Sequence, residues 1–136
     1  MKHRIILVDD DRDDRELFAN TFQLVSDASL AACSSALEAI EVIADHCSVS
    51  EYHQPLVITD LNMPQVDGFE LIARLRQELD VSPVIVVLST SASRRDVTQA
   101  YLAGCNAYHV KPMGYVETKQ LAERIVDYWQ PLLELT

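Results

Sequence analysis

Five short apolar runs, each ending in a turn and followed by a helical stripe, constrain this chain more than any other feature. The runs occupy residues 4–8, 29–33, 56–60, 84–88 and 107–110. The continuously apolar run ahead of Asp60 suits a strand buried on both faces, as in a parallel sheet. Between the runs, Leu17, Phe18, Thr21, Phe22 and Val25 mark a first helix over Arg12–Val25. Ser35 and Glu38 have capping-box spacing ahead of a second stripe of Leu37, Ile40, Ile43 and Ala44. Phe69, Leu71, Ile72, Leu75 and Leu79 mark the third helix. The fourth starts at a Ser93 cap and stops at Gly104, a natural C′ residue. Leu121, Ile125, Tyr128 and Trp129 define the fifth, which Pro131 is expected to disturb. Residues 46–55 read as a polar loop, long for a compact domain. Strands alternating with helices over short connections predict an α/β, doubly wound parallel sheet with helices on both faces.

Length and composition fit one domain over residues 1–136. No repeat or linker is present, and an output domain is not expected, so any output would act through the domain's own surface. Hydrophobic residues make up 49% and charged residues 24%, which excludes a disordered chain. A net charge of −10 argues against direct contact with nucleic acid or anionic membranes. No run is long enough to span a bilayer, and the start lacks the apolar stretch of a secretory signal, so a cytoplasmic protein is expected. Cys33, Cys47 and Cys105 are odd in number and widely spaced; they read as reduced thiols, at least two in the core. His3, His46, His53 and His109 have no ligand spacing and read as surface or edge residues.

The chemistry gathers where strands end. In a parallel sheet these ends share one edge, where ligands collect. The first strand delivers Asp9 and Asp10, the third Asp60, the fourth Ser89 and the fifth Lys111. Carboxylates packed together repel one another unless a cation joins them. A hard divalent ion such as Mg²⁺, bound through carboxylates and water, resolves that repulsion. Lys111 brings a positive charge suited to a phosphoryl oxygen, and Ser89 a hydroxyl donor. A carboxylate nucleophile, a divalent metal, a lysine and a hydroxyl are the parts needed to make an aspartyl phosphate.

Asp9-Asp10, Asp60-Leu61-Asn62-Met63-Pro64, Ser89 and Lys111-Pro112, in that order, resemble the receiver domain of two-component response regulators, the CheY-like superfamily. The match covers nearly the whole chain. It implies a flavodoxin-like sheet of strand order 2-1-3-4-5, and phosphorylation of Asp60 by a sensor histidine kinase or phosphotransfer protein. It also implies Mg²⁺ (or Mn²⁺) held by Asp9, Asp10, Asp60 and the backbone carbonyl of Asn62, with Asp9 acting through water. Ser89 matches the switch hydroxyl, Tyr108 the switch aromatic, and the Lys111–Pro112 bond is expected to be cis. The face of helix four, strand five and helix five would carry the output, with Tyr101, Tyr128 and Trp129 as the surface for a partner or a second copy. Such a protein catalyses only its own phosphorylation and dephosphorylation. Asp11 makes a third consecutive acid, more than the common pair, while the loop over 46–55 and the extended tail beyond Trp129 resemble stand-alone receivers, including those paired with bacterial phytochrome kinases. Two other classes compete. A receiver-like interaction module would take no phosphate. A phosphohydrolase of the haloacid-dehalogenase type would need an acid where this chain has Asn62.

Overall fold

The computed structural model describes residues 4–49, 54–78 and 83–134, the side chains of 46–49 excepted. Five strands, β1 (Ile5–Val8), β2 (Leu30–Cys33), β3 (Leu56–Thr59), β4 (Val84–Ser89) and β5 (Ala107–Val110), alternate with five helices. The helices are α1 (Arg12–Val25), α2 (Ala36–Val49), α3 (Gly68–Glu78), α4 (Arg94–Ala103) and α5 (Tyr115–Leu133). All four strand pairings are parallel, in the order β2-β1-β3-β4-β5, as the alternation and the resemblance implied.

Side chains leave alternate faces of a strand, so the sheet divides the apolar core in two. Ile6, Val8, Val57, Ile85 and Val87 pack with Ile43, Leu71, Ile72 and Leu75 on the side of α2 and α3. Ile5, Leu7, Leu56, Ile58, Val86 and Leu88 pack with Phe18, Phe22, Leu121 and Ile125 on the side of α1 and α5. Each fully buried side chain of this size contributes ~1.5–3 kcal/mol relative to exposure, which is why the most apolar runs become the inner strands β1, β3 and β4, while β2 and β5, only partly buried, form the edges.

Helix starts are set by side chains. Asp11 accepts from the Asp14 amide at 3.0 Å and begins α1. Ser35 accepts from Glu38 N–H at 3.1 Å, while Glu38 reaches back to the Ser34 amide at 2.7 Å, one residue earlier than an ideal capping box. Ser93 caps α4 as expected, and Gly104 ends it with φ 121°, a conformation that favours glycine. Arg76 of α3 donates to the carbonyls of Gly104 and Pro83 and to the Asn106 side chain, at 2.9, 2.7 and 2.7 Å. Asn106 in turn accepts from the Ile85 amide. That clasp joins α3, the start of β4 and the turn before β5.

Two expectations about element ends are corrected. The loop expected over 46–55 begins later, because α2 continues to Val49. Polar residues do not stop a helix, and neither Gly nor Pro interrupts this sequence before Pro55. Residues 50–53, with His53, lie outside those described. Pro131 sits inside α5, which runs on to Leu133. Arg4 donates to the carbonyls of Leu132 and Leu133, at 3.4 and 2.8 Å, and so closes the helix end that the proline weakens. Leu79 of the expected third stripe falls outside the described residues.

Candidate functional site

The strand order reverses between β1 and β3, and there the crevice of a doubly wound sheet opens at the carboxyl ends of the strands. Val8 pairs with Thr59, so the next residues, Asp9 and Asp60, stand side by side. The Asp60 amide donates to the Val8 carbonyl at 3.0 Å, which fixes the register to the last residue. Asp9 is 2% exposed and Asp60 9%, while Asp10 lies open to solvent. One carboxylate oxygen from each of Asp9, Asp10 and Asp60 falls within 4.8 Å of the others. Three hard oxygen donors at that spacing fit a divalent ion that keeps several waters. Of the sequence-predicted metal residues, Asn62, itself exposed, sits two residues beyond Asp60 in the β3–α3 loop.

The Asp60 carboxylate is fixed at both oxygens. Oδ1 accepts from the Leu61 amide at 2.7 Å, and Oδ2 lies 3.2 Å from Lys111 Nζ. Lys111 arrives from the end of β5, its own amide donating to the Ser89 carbonyl at 2.8 Å. Its ammonium also donates to Asp9 at 2.8 Å and to Asp14 at 2.9 Å, and the side chain is 7% exposed. Burial pulls the Lys111 pKa down, but the hydrogen bonds to Asp14 and Asp9 and the charges of Asp9 and Asp60 outweigh it. The net shift is upward, so the lysine stays charged. Asp9 goes the other way from an ordinary carboxylate. Burial raises its pKa, and Lys111 offsets only part of that.

The Lys111–Pro112 bond, expected cis, is trans, and no described peptide bond is cis. Trans is the preferred form even before proline. Lys111 still turns inward because its root is tied to Ser89 and its tip to the carboxylates. Ser89 is fully buried, with its Oγ accepting from the Ser91 amide at 3.1 Å. Tyr108 packs half-buried against the α2–α3 side of the core, and its hydroxyl donates to the Ser91 carbonyl at 2.8 Å. One residue of the β4–α4 loop therefore touches both expected switch side chains. Tyr101 and Tyr128 are exposed at 48% and 74%. Trp129, expected on the partner surface with them, is half-buried against the α1–α5 core and packs edge-on to Tyr128.

Several residues of the site escape a reading of the sequence. Asp14 contacts Lys111 from the first turn of α1; its only sequence signal is its place three residues after the Asp11 cap. Asp11, the third consecutive acid, is that cap. Arg15 holds the Asp9 carbonyl at 2.9 Å. Gly68 is needed for space: a Cβ there would meet the Asp60 carbonyl oxygen at 2.2 Å.

A family model, response regulator receiver domain, matches residues 5–125. The chain is a response regulator receiver domain. Among curated relatives, this receiver is 27% identical to the response regulator Rcp1 of Synechocystis over 92% of its own length and 87% of that protein. It is 35% identical to the probable methanogenesis regulatory protein FilR2 of Methanothrix harundinacea, over 54% of this chain and only 48% of that one. The structure of the phosphorylated cyanobacterial phytochrome response regulator RcpA superposes with TM-score 0.81 at 25% identity, covering 96% of the receiver and 95% of RcpA. The Mn²⁺-bound form of Rcp1 superposes with TM-score 0.77 at 27% identity, over 97% and 95%. The family places the receiver in two-component signalling. Among the described residues no helix is long and apolar enough to cross a membrane.

Proposed function

We propose that this receiver takes a phosphoryl group onto Asp60 from a phosphohistidine of a sensor kinase or phosphotransfer protein. The observation that carries the proposal is the Asp60 carboxylate lying beside the oxygens of Asp9 and Asp10 and 3.2 Å from Lys111. An Asp60 oxygen forms the new bond to phosphorus, the phosphorus–nitrogen bond breaks, and the imidazole leaves. Asp9, Asp10, Asp60 and the Asn62 carbonyl would hold Mg²⁺ or Mn²⁺, which neutralises the charge gathering on the phosphoryl oxygens. Lys111, 3.2 Å from the Asp60 carboxylate, would pair with the same oxygens. The group adds roughly −1.5 to −2 charge next to buried Ser89. Ser89 would exchange its Ser91 partner for a phosphoryl oxygen, and Tyr108, held by the same residue, would follow. The α4–β5–α5 face, with exposed Tyr101 and Tyr128, would present the change to a partner or a second copy. Similarity to the phytochrome response regulator RcpA favours a phytochrome-type kinase as donor.

Incubation with Mg²⁺ and acetyl phosphate tests the reading by intact mass. A gain of one phosphoryl group that disappears in Asp60→Asn is expected. No gain would favour an interaction module that takes no phosphate, and broad phosphoester turnover would favour a phosphohydrolase.

A further inference from the structure

The Lys111 ammonium has three hydrogens and three carboxylate partners, Asp9 at 2.8 Å, Asp14 at 2.9 Å and Asp60 at 3.2 Å. These partners are not equivalent. Asp9 and Asp60 also belong to the oxygen cluster suited to a divalent ion, and Asp60 is the proposed phosphoacceptor. Asp14 belongs to neither role. It is placed by α1 itself, since the Asp11 cap holds its amide and fixes the first turn over the strand ends.

We propose that Asp14 is a positioning residue: it parks Lys111 so that the oxygens of Asp9 and Asp60 can turn to an incoming divalent cation and then to a phosphoryl group. This rests on the phosphoacceptor reading above. Without Asp14 the ammonium would fall back on Asp9 and Asp60 alone, where an entering cation must displace it. With Asp14 present, the long contact to Asp60 is the one given up, and the lysine keeps its place at the mouth. The side chain of Lys111 is nearly enclosed, at 7% exposure.

Two measurements on the full chain decide this, with Asp14→Asn keeping the shape of the side chain while removing its charge. In metal-free protein, amine acetylation followed by peptide mass spectrometry should show Lys111 reacting several-fold faster in Asp14→Asn, with Lys2 and Lys119 unchanged. Calorimetric Mg²⁺ affinity should weaken by roughly threefold to tenfold, as expected for loss of one partly buried ion pair. The same substitution made in a Lys111→Met background should leave Mg²⁺ affinity unaltered, because the effect passes through the lysine. Equal weakening in both backgrounds would overturn the inference and leave only a general charge effect. So would an unchanged Lys111 acetylation rate, or unchanged Mg²⁺ affinity in Asp14→Asn. If the unsubstituted protein binds no Mg²⁺, the phosphoacceptor reading fails, while the acetylation rate still reports whether Asp14 holds the lysine.

Discussion

Gly68 and Cys33 show how much single positions of this receiver are constrained. A methyl group on Gly68 would enter the carbonyl of Asp60 and the Cα of Leu61, both backbone atoms that cannot swing aside. Gly68→Ala should therefore destabilise the fold by about 1–3 kcal/mol in denaturant unfolding. It should also slow the proposed phosphorylation of Asp60 by acetyl phosphate, because the shifted backbone carries that carboxylate. Cys33 is 1% exposed, and burial raises its thiol pKa from the usual 9.0 to about 12. The unfolded chain thus loses this proton first. The Cys33 contribution is fully present below pH 9 and is lost as pH climbs toward 12, at up to about 1.4 kcal/mol per pH unit. Stability of Cys33→Ala, measured by urea unfolding over pH 9–11, should fall less steeply than that of the unsubstituted protein. Asp60, Asp9, Asp10 and Lys111 could be picked out from the sequence because strand ends in a parallel sheet share an edge. Asp14 could not. One acid among several in the first turn of a helix looks like a favourable dipole contact, and only the fold reveals the lysine arriving from β5.

At the scale of elements, the strands were legible to within a residue; apolar runs and burial coincide in β1, β3 and β4, while the edge strands β2 and β5 are only partly buried. Element ends were harder where a long-range contact overrides a local signal. Pro131 removes an amide from α5, and nothing nearby in the sequence says that Arg4, at the far end of the chain, will cap the helix beyond it. Arg76 is a similar case: its three partners lie 7, 28 and 30 residues away. Replacing Arg76 with Ala should cost ~2 kcal/mol or more, since charged donors to carbonyls are among the stronger hydrogen bonds. Arg76→Lys should recover only part of that, because an ammonium cannot span three acceptors as the guanidinium does. Neither change should alter Mg²⁺ affinity, because the clasp sits at the opposite end of the strands from Asp60.

For the whole molecule, the proposed metal site at the acidic rim predicts that stability depends on divalent ions. Like charges gathered at Asp9, Asp10 and Asp60 oppose the compact state, and a cation that binds only the folded form adds stability by mass action. Mg²⁺ at a hundredfold excess over its dissociation constant should add ~2.7 kcal/mol and raise Tm. Chelation by EDTA should reverse the gain, and Asp10→Asn should largely abolish it in thermal melts. The central sheet has a different consequence. Because it keeps Phe22 and its neighbours apart from Ile72 and its neighbours, each half of the interior can drift in sequence without compensation from the other. A receiver built this way can exchange the surfaces its partners recognise one layer at a time, while the rim between the layers stays as it is.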